Sequence, residues 1–292
     1  MNVDFLHELY LRSLEIRLFE RGLLDLFDRG LLHGTTHTCI GQEVLPVTVA
    51  SRRVNGDIFI GNHRSHGHYL SLSKNYSGLL SEIMGMSDGI NRGFGGSQHI
   101  FDDSCGYMSN GIQGSFLPSA VGIADAIPEG NIVIVYVGDG TFGEGVVYEA
   151  MNIAAIRNCR ILLILEDNGI AQTTDTIKTT AGSFQYRAQA FGWNYIFVDS
   201  RDIGALFSIC SNAVSSVRFG KNPMLLHVKS YRLGPHSKGD DTRPPKVLCE
   251  LSALDPLDSV EGLIDKCVAI KIKNESKKVI DSVFRNHGLD SI

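Results

Sequence analysis

Long apolar runs are missing from this 292-residue chain. The longest, such as Ile132-Val133-Ile134-Val135-Tyr136-Val137, have the length of a β-strand, so no segment reads as membrane-spanning. No secretory leader is expected, because Asp4, Glu8 and Glu15 interrupt the apolar residues of the N-terminus. Positive charge is also in short supply. There are 27 Lys and Arg against 32 Asp and Glu, a net charge of −5, which argues against nucleic acid as a partner. The six cysteines (39, 105, 159, 210, 249 and 267) contain no C-x-x-C pair. They read as incidental thiols in a reducing compartment, not as a disulfide frame or a zinc site. No internal repeat or low-complexity tract occurs. These absences leave a cytoplasmic protein as the expectation. What is present suits one: 43% apolar residues can bury a large core, in one big α/β domain or two smaller ones.

Helical periodicity runs through residues 3–29, with Gly30 as a stop, and a second helix is expected over 41–53. Ile58-Phe59-Ile60 enters a polar, His-rich loop, 61–68, and a short helix covers 79–84. Residues 85–116 are dense in glycine and poor in periodicity. A loop that long inside a compact domain is usually functional. A helix then covers 118–126.

From 131 the pattern alternates. Strands are expected at 131–137, 160–166, 195–199 and 223–229, and helices at 143–157, 183–191 and 202–218. That alternation predicts a doubly wound, mostly parallel α/β sheet with helices on both faces. A helical lead-in precedes it and a helical tail follows. After Pro244-Pro245 the chain changes character and ends in an amphipathic helix at 258–284. A main domain, 1–245, and a C-terminal extension, 246–292, are therefore expected.

The chemistry concentrates at the ends of two of these strands. The apolar run 132–137 leads into Gly138-Asp139-Gly140, and Ile161–Leu165 leads towards Asp167-Asn168. Asp139 and Asn168 are 29 residues apart, the length of a helix and a return strand. An acid and an amide can thus sit at the ends of neighbouring parallel strands, where such sheets bind ligands. Asp139 offers an anionic oxygen, Asn168 a neutral carbonyl and Ile170 a backbone carbonyl. Magnesium takes such oxygens and completes its shell with phosphates and water. Gly138 and Gly140 let the backbone approach a diphosphate, and Thr141 begins the next helix, so its amide end faces an anion. Alone, Gly-Asp-Gly is a common strand-to-helix turn. The matching strand and its Asn favour the metal site.

The triplet with Asn168 resembles the diphosphate motif of thiamine-diphosphate enzymes, and the flanks narrow the branch. Residues 10–49, with Arg17, Glu20, Gly30-x-x-x-Gly34 and Gly41-Gln42-Glu43, resemble the opening of the alpha subunit of 2-oxo acid dehydrogenases, the pyruvate, branched-chain and acetoin family. His63-Arg64-Ser65-His66-Gly67 is similar to that family's Y-R-x-H-G. Gly93-Phe94-Gly95-Gly96-Ser97-Gln98-His99 is similar to its G-x-G-G-S-x-H. Gly220-Lys221-Asn222-Pro223, Ser230-Tyr231-Arg232 and His236-Ser237 resemble its last strand and following loop.

The resemblance covers about residues 5–260, and it implies a thiamine-diphosphate fold over 1–245. It implies that Asp139, Asn168 and the Ile170 carbonyl hold Mg2+, and that Gly138, Gly140 and Thr141 meet the diphosphate. Arg64 binds diphosphate oxygens beside His63, and His236 lies on a closing loop. Gly111 and Gln113 serve the aminopyrimidine. His66, His236 and His99 are the catalytic candidates. Three departures stand out: His63 replaces the usual Tyr, Gln98 the usual Met, and the C-terminal region is shortened after Asp255-Pro256.

The resemblance further implies a decarboxylase of 2-oxo acids. Its acyl or enamine unit would pass to lipoamide, in an oxidative dehydrogenase, or to a carbonyl, in an acyloin-type carboligase. The carboxylate that activates the cofactor's ring comes from a separate beta subunit in this family, and no residue here takes that role. Two alpha and two beta chains are expected, a lipoyl acyltransferase is a candidate partner, and the chain alone is expected to be silent. The alternatives are one half of a split transketolase and a non-catalytic scaffold.

Other groups read as structural. Glu43 satisfies amides at a helix start, Glu144 a helix dipole, and Ser237 is an ordinary loop serine. Lys266, Lys271, Lys273, Lys277 and Lys278 form a solvated face. Among His33, His37, His63, His66 and His68, the spacing His63-x-x-His66-x-His68 suits neither a zincin helix nor a zinc finger.

Overall fold

The computed structural model describes residues 2–32, 34–220, 222–237 and 241–290. His33 and Lys221 lie outside the described residues. The chain opens with α1 (Val3–Asp28), whose first turn is capped by the Asn2 side chain accepting from the Phe5 amide at 2.9 Å. Then follow α2 (Val44–Ala50), β1 (Ile58–Gly61), α3 (His66–Ser73), α4 (Tyr76–Ile83), β2 (Phe101–Asp102) and β3 (Tyr107–Ser109). The central part is α5 (Phe116–Ala126), β4 (Val133–Gly138), α6 (Gly145–Ile156), β5 (Ile161–Asp167), a hairpin of β6 (Ile170–Ala171) and β7 (Thr174–Asp175), and α7 (Thr176–Thr179). The last part is α8 (Phe184–Ala190), β8 (Asn194–Asp199), α9 (Ile203–Gly220), β9 (Met224–Lys229), α10 (Pro245–Ser252), α11 (Pro256–Glu261) and α12 (Lys266–Asn286).

Among the described residues, seven strands form the main sheet in the order β2-β3-β1-β4-β5-β9-β8. Every pairing is parallel except β2 with β3. The near-continuous apolar strands follow from burial on both faces. Ile134, Tyr136, Leu162, Ile164, Leu226 and Val228 pack into one core with residues of α1, α2, α4, α9 and α12. Their neighbours Val133, Val135, Val137, Ile161, Leu163 and Leu165 pack into a second core with α5 and α6. The fold is the doubly wound α/β architecture expected, with helices leading in and trailing out. No described helix is long and apolar enough to cross a membrane.

Four local expectations need correction. The second helix is shorter than 41–53, because Gly41 has φ +94° and a Cβ there would meet the Tyr231 carbonyl at 2.1 Å. The His-rich stretch is loop only as far as Ser65; His66 opens α3. The glycine-rich stretch 85–116 contains β2 and β3, which extend the sheet past β1. The terminal helix is two helices. α11 ends at Glu261 with Gly262 as its C-cap, and Asp265 caps α12 by accepting from the amides of Cys267 and Val268.

The tail docks firmly on the lead-in. The Phe284 ring of α12 meets the Phe19 ring of α1 edge-on at 5.9 Å. Buried Arg17 of α1 binds Asp255 with both terminal nitrogens, at 2.7 and 3.0 Å, and also binds Glu43. Glu43 in turn accepts from the Gly41 amide at 3.0 Å. It therefore acts as the structural acid that the sequence suggested.

Candidate cofactor site

A cavity of 390 Å³ opens at the carboxyl ends of β1, β4, β5 and β9. Each strand delivers part of its wall. Asn62, His63 and Arg64 follow β1; Asp139, Gly140 and Thr141 follow β4; Asn168 and Ile170 follow β5; Arg232 and His236 follow β9. Gly138 pairs with Glu166 across β4 and β5, so the Asp139 and Asn168 segments leave the sheet side by side.

Asp139 is 2% exposed and opens a short 3-10 turn ahead of α6. Its carboxylate accepts from the Thr176 hydroxyl. Burial, with nearby Asp167 adding to it, pushes its carboxyl above the ordinary range despite that hydrogen bond. A buried acid crowded by a second acid is a natural place for a cation. The Asn168 side-chain oxygen accepts from the Ile170 amide at 3.3 Å, which fixes the start of the β6–β7 hairpin.

The opposite wall is cationic and imidazole-rich. Arg64 donates to the Thr38 carbonyl and, at 3.2 Å, to the His236 carbonyl. Arg232 donates to the Gln172 carbonyl at 3.2 Å. The rings of His37, His63 and His236 lie 4.7 to 5.4 Å apart. Burial, then Arg64 and the other histidines, holds the His63 imidazole well below its usual range, so it is neutral near pH 7. Gln113 ties the two walls together. Its oxygen accepts from the Thr141 hydroxyl at 2.7 Å, and its nitrogen lies 2.8 Å from His63 Nδ1. Gly111 sits tightly against Gln98, where a Cβ would lie 1.9 Å from the amide oxygen.

The family profile described as "Dehydrogenase E1 component" matches residues 12–283. The chain belongs to this dehydrogenase E1 family. It is 30% identical over 284 residues to the alpha subunit of acetoin:2,6-dichlorophenolindophenol oxidoreductase from Bacillus subtilis (strain 168), spanning 94% of this chain and 85% of that one. It is 32% identical over 285 residues to the pyruvate dehydrogenase E1 component subunit alpha of Rhizobium meliloti (strain 1021), spanning 94% and 82%. It is 34% identical over 242 residues to the corresponding subunit of Zymomonas mobilis, spanning 81% and 68%.

Most of the residues that the E1 resemblance singled out line this one cavity: His63, Arg64, Gly111, Gln113, Gly138, Asp139, Gly140, Thr141, Asn168, Ile170 and His236. Two do not. His66 is fully buried on α3, with Nδ1 at 3.1 Å from Glu20 and Nε2 at 2.8 Å from the Ser97 hydroxyl. Burial opposes ionisation of Glu20, but His66 and the Cys39 amide outweigh it and hold that carboxyl below the ordinary range. His99 is exposed and follows the glycine loop. Glu144 lines the cavity at the foot of α6, with no side-chain capping bond.

Three contributors were not singled out by sequence. Glu166 lines the cavity and binds His68 at 2.9 Å, and His68 stacks on Tyr136 at 3.9 Å. The signal was an acid closing an otherwise apolar strand. His37 belongs to the cavity, although its sequence context placed it with other histidines. Glu82 of α4 is the anchor of the glycine loop. Its carboxylate accepts from the amides of Asn91, Gly93, Gly95 and Gly96 at 2.6 to 3.1 Å. The glycines let that backbone wrap one acid, which periodicity does not reveal.

Proposed function

We propose that this chain is the alpha subunit of a two-component, thiamine-diphosphate-dependent 2-oxo acid dehydrogenase, and that its cavity anchors the cofactor's diphosphate through Mg2+. The observation that carries this reading is the opposition of two donor sets in one cavity. The oxygens of Asp139, Asn168 and Ile170 suit a hard cation. The guanidiniums of Arg64 and Arg232 suit phosphate oxygens. The cavity volume is that of a cofactor site.

In this reading Thr141 and Gly140 receive phosphate oxygens at the start of the 3-10 turn, and Gln113 fixes Thr141 and His63 against each other. Neutral His63 adds no charge beside Arg64. His236 holds the far wall. Thiamine diphosphate, when bound, supplies the electron sink that lets a 2-oxo acid lose carbon dioxide. The acids that line the cavity are otherwise engaged or outlying: Asp139 serves the cation, Glu166 holds His68, and Glu144 is exposed at the rim. The carboxylate that activates the cofactor's ring therefore comes from a beta subunit. Exposed apolar side chains suit such a partner. Ile112, between cavity residues Gly111 and Gln113, is 70% exposed, and Phe94 of the glycine loop is 91% exposed.

The acceptor is lipoamide in a dehydrogenase complex, or an aldehyde or ketone in an acyloin-type variant. Residues 246–292 serve as an extension that braces α1, and the chain works in the cytoplasm. The test is co-expression with a beta-type chain, followed by carbon dioxide release from a panel of 2-oxo acids with thiamine diphosphate and Mg2+. Release by the pair and none by this chain alone is the expected result. Turnover by the isolated chain, or of ketose phosphates instead of 2-oxo acids, would overturn the assignment.

A further inference from the structure

The cavity holds a second donor set of a different chemical kind. His37 precedes α2, His63 follows β1 and His236 follows β9, yet each brings a ring nitrogen within 4.8 Å of the other two. Three separate segments supply them, so no local spacing announces the cluster. Two of the rings already have an amide partner at Nδ1. Gln113 Nε2 lies 2.8 Å from His63 Nδ1, and Gln98 Nε2 lies 3.3 Å from His37 Nδ1. An amide turned end for end offers its oxygen to Nδ1–H and leaves Nε2 with a lone pair. Gln113 so turned still meets Thr141, now by donating to its hydroxyl. An outer amide or carboxylate oxygen is the usual companion of a metal-ligating imidazole.

We propose that His37, His63 and His236 form a three-nitrogen site for a divalent transition ion of the zinc class, with a fourth position open to the cavity. Zinc takes imidazole nitrogens at about 2.0–2.1 Å in a tetrahedral shell, so the three nitrogens would close to roughly 3.4 Å from one another. Three protein ligands and one exchangeable position is the pattern of a reactive site, not of a closed structural one. Borderline ions select imidazole, whereas the oxygens of Asp139 and Asn168 select a hard ion such as magnesium. The two sites share a cavity but no ligand. A phosphate or carboxylate oxygen held by Arg64 and Arg232 is the fitting fourth ligand.

The test is titration of the purified chain with Co2+, a spectroscopic stand-in for zinc. One equivalent should give the visible absorption bands of nitrogen-bound tetrahedral cobalt, displaced by Zn2+ and untouched by excess Mg2+. His63→Asn and His236→Asn should each weaken binding by roughly tenfold or more, whereas His7→Asn, on α1 away from the cavity, should not. Absence of one-equivalent binding, or binding that survives both substitutions, overturns the proposal. If either variant fails to fold, the wild-type chain decides alone. One equivalent of Zn2+ should protect His37, His63 and His236 from diethylpyrocarbonate, read by peptide mass spectrometry, and protection elsewhere contradicts the site.

Discussion

Two regions of this molecule hold buried charge, and they use it in opposite ways. On the helical side, Arg17, Glu43, Asp255, Glu20, His66 and Glu82 are spent on one another or on backbone amides. At the strand ends, Asp139, Asn168, Arg64 and His63 line a cavity. Residue type does not separate the two regions, since each has acids, an arginine and histidines. Access does. A charge enclosed among partners inside the protein stabilises geometry, and one that borders a cavity is within reach of a ligand.

The comparison breaks most visibly at Arg17. Arg17→Met leaves Glu43 and Asp255 buried without their cation, which should cost about 3–5 kcal/mol in a urea unfolding experiment. A loss near zero would mean that this network is not enclosed as described. Next comes Glu82→Ala. It removes one acceptor from four amides, and a cost of about 2–3 kcal/mol is expected, since hydrogen bonds to a charged group are worth about that much apiece and freed amides meet water. Limited proteolysis should then cut within 89–96 faster than in the wild-type chain; an unchanged rate would assign the loop's order to something other than Glu82. At the cavity the effect moves from stability to binding. Arg64→Gln should shift the unfolding midpoint less than Arg17→Met, yet weaken thiamine diphosphate binding by the assembled enzyme about 10–100-fold, the equivalent of about 1.4–2.8 kcal/mol. The reverse pattern would place Arg64 with the structural charges.

Much of the fold was readable because the central strands are buried on both faces and the edge strand β8 still carries an apolar run. Their apolar runs put β4, β5, β8 and β9 within two residues of the expected bounds, and the strand ends followed. β2 and β3 were hidden because two- and three-residue edge strands carry too little pattern, and the intervening glycines read as loop. The break between α11 and α12 was hidden because both share one apolar face. In the site, Asp139 and Asn168 were legible from their strands. His66 was misplaced because its motif neighbour Arg64 faces the cavity, and the turn into α3 points the two side chains to different places. Glu82 and the His37–His63–His236 cluster depend on tertiary contacts alone, which no local period encodes.

The central claim is that Asp139 holds the cation that anchors the cofactor. Calorimetric titration of the assembled enzyme with thiamine diphosphate, with and without Mg2+, compares wild type with Asp139→Ala most directly. The account predicts Mg2+-dependent binding in the wild type and its loss in a variant whose circular dichroism is unchanged. Mg2+-dependent binding retained by a folded Asp139→Ala enzyme would contradict it.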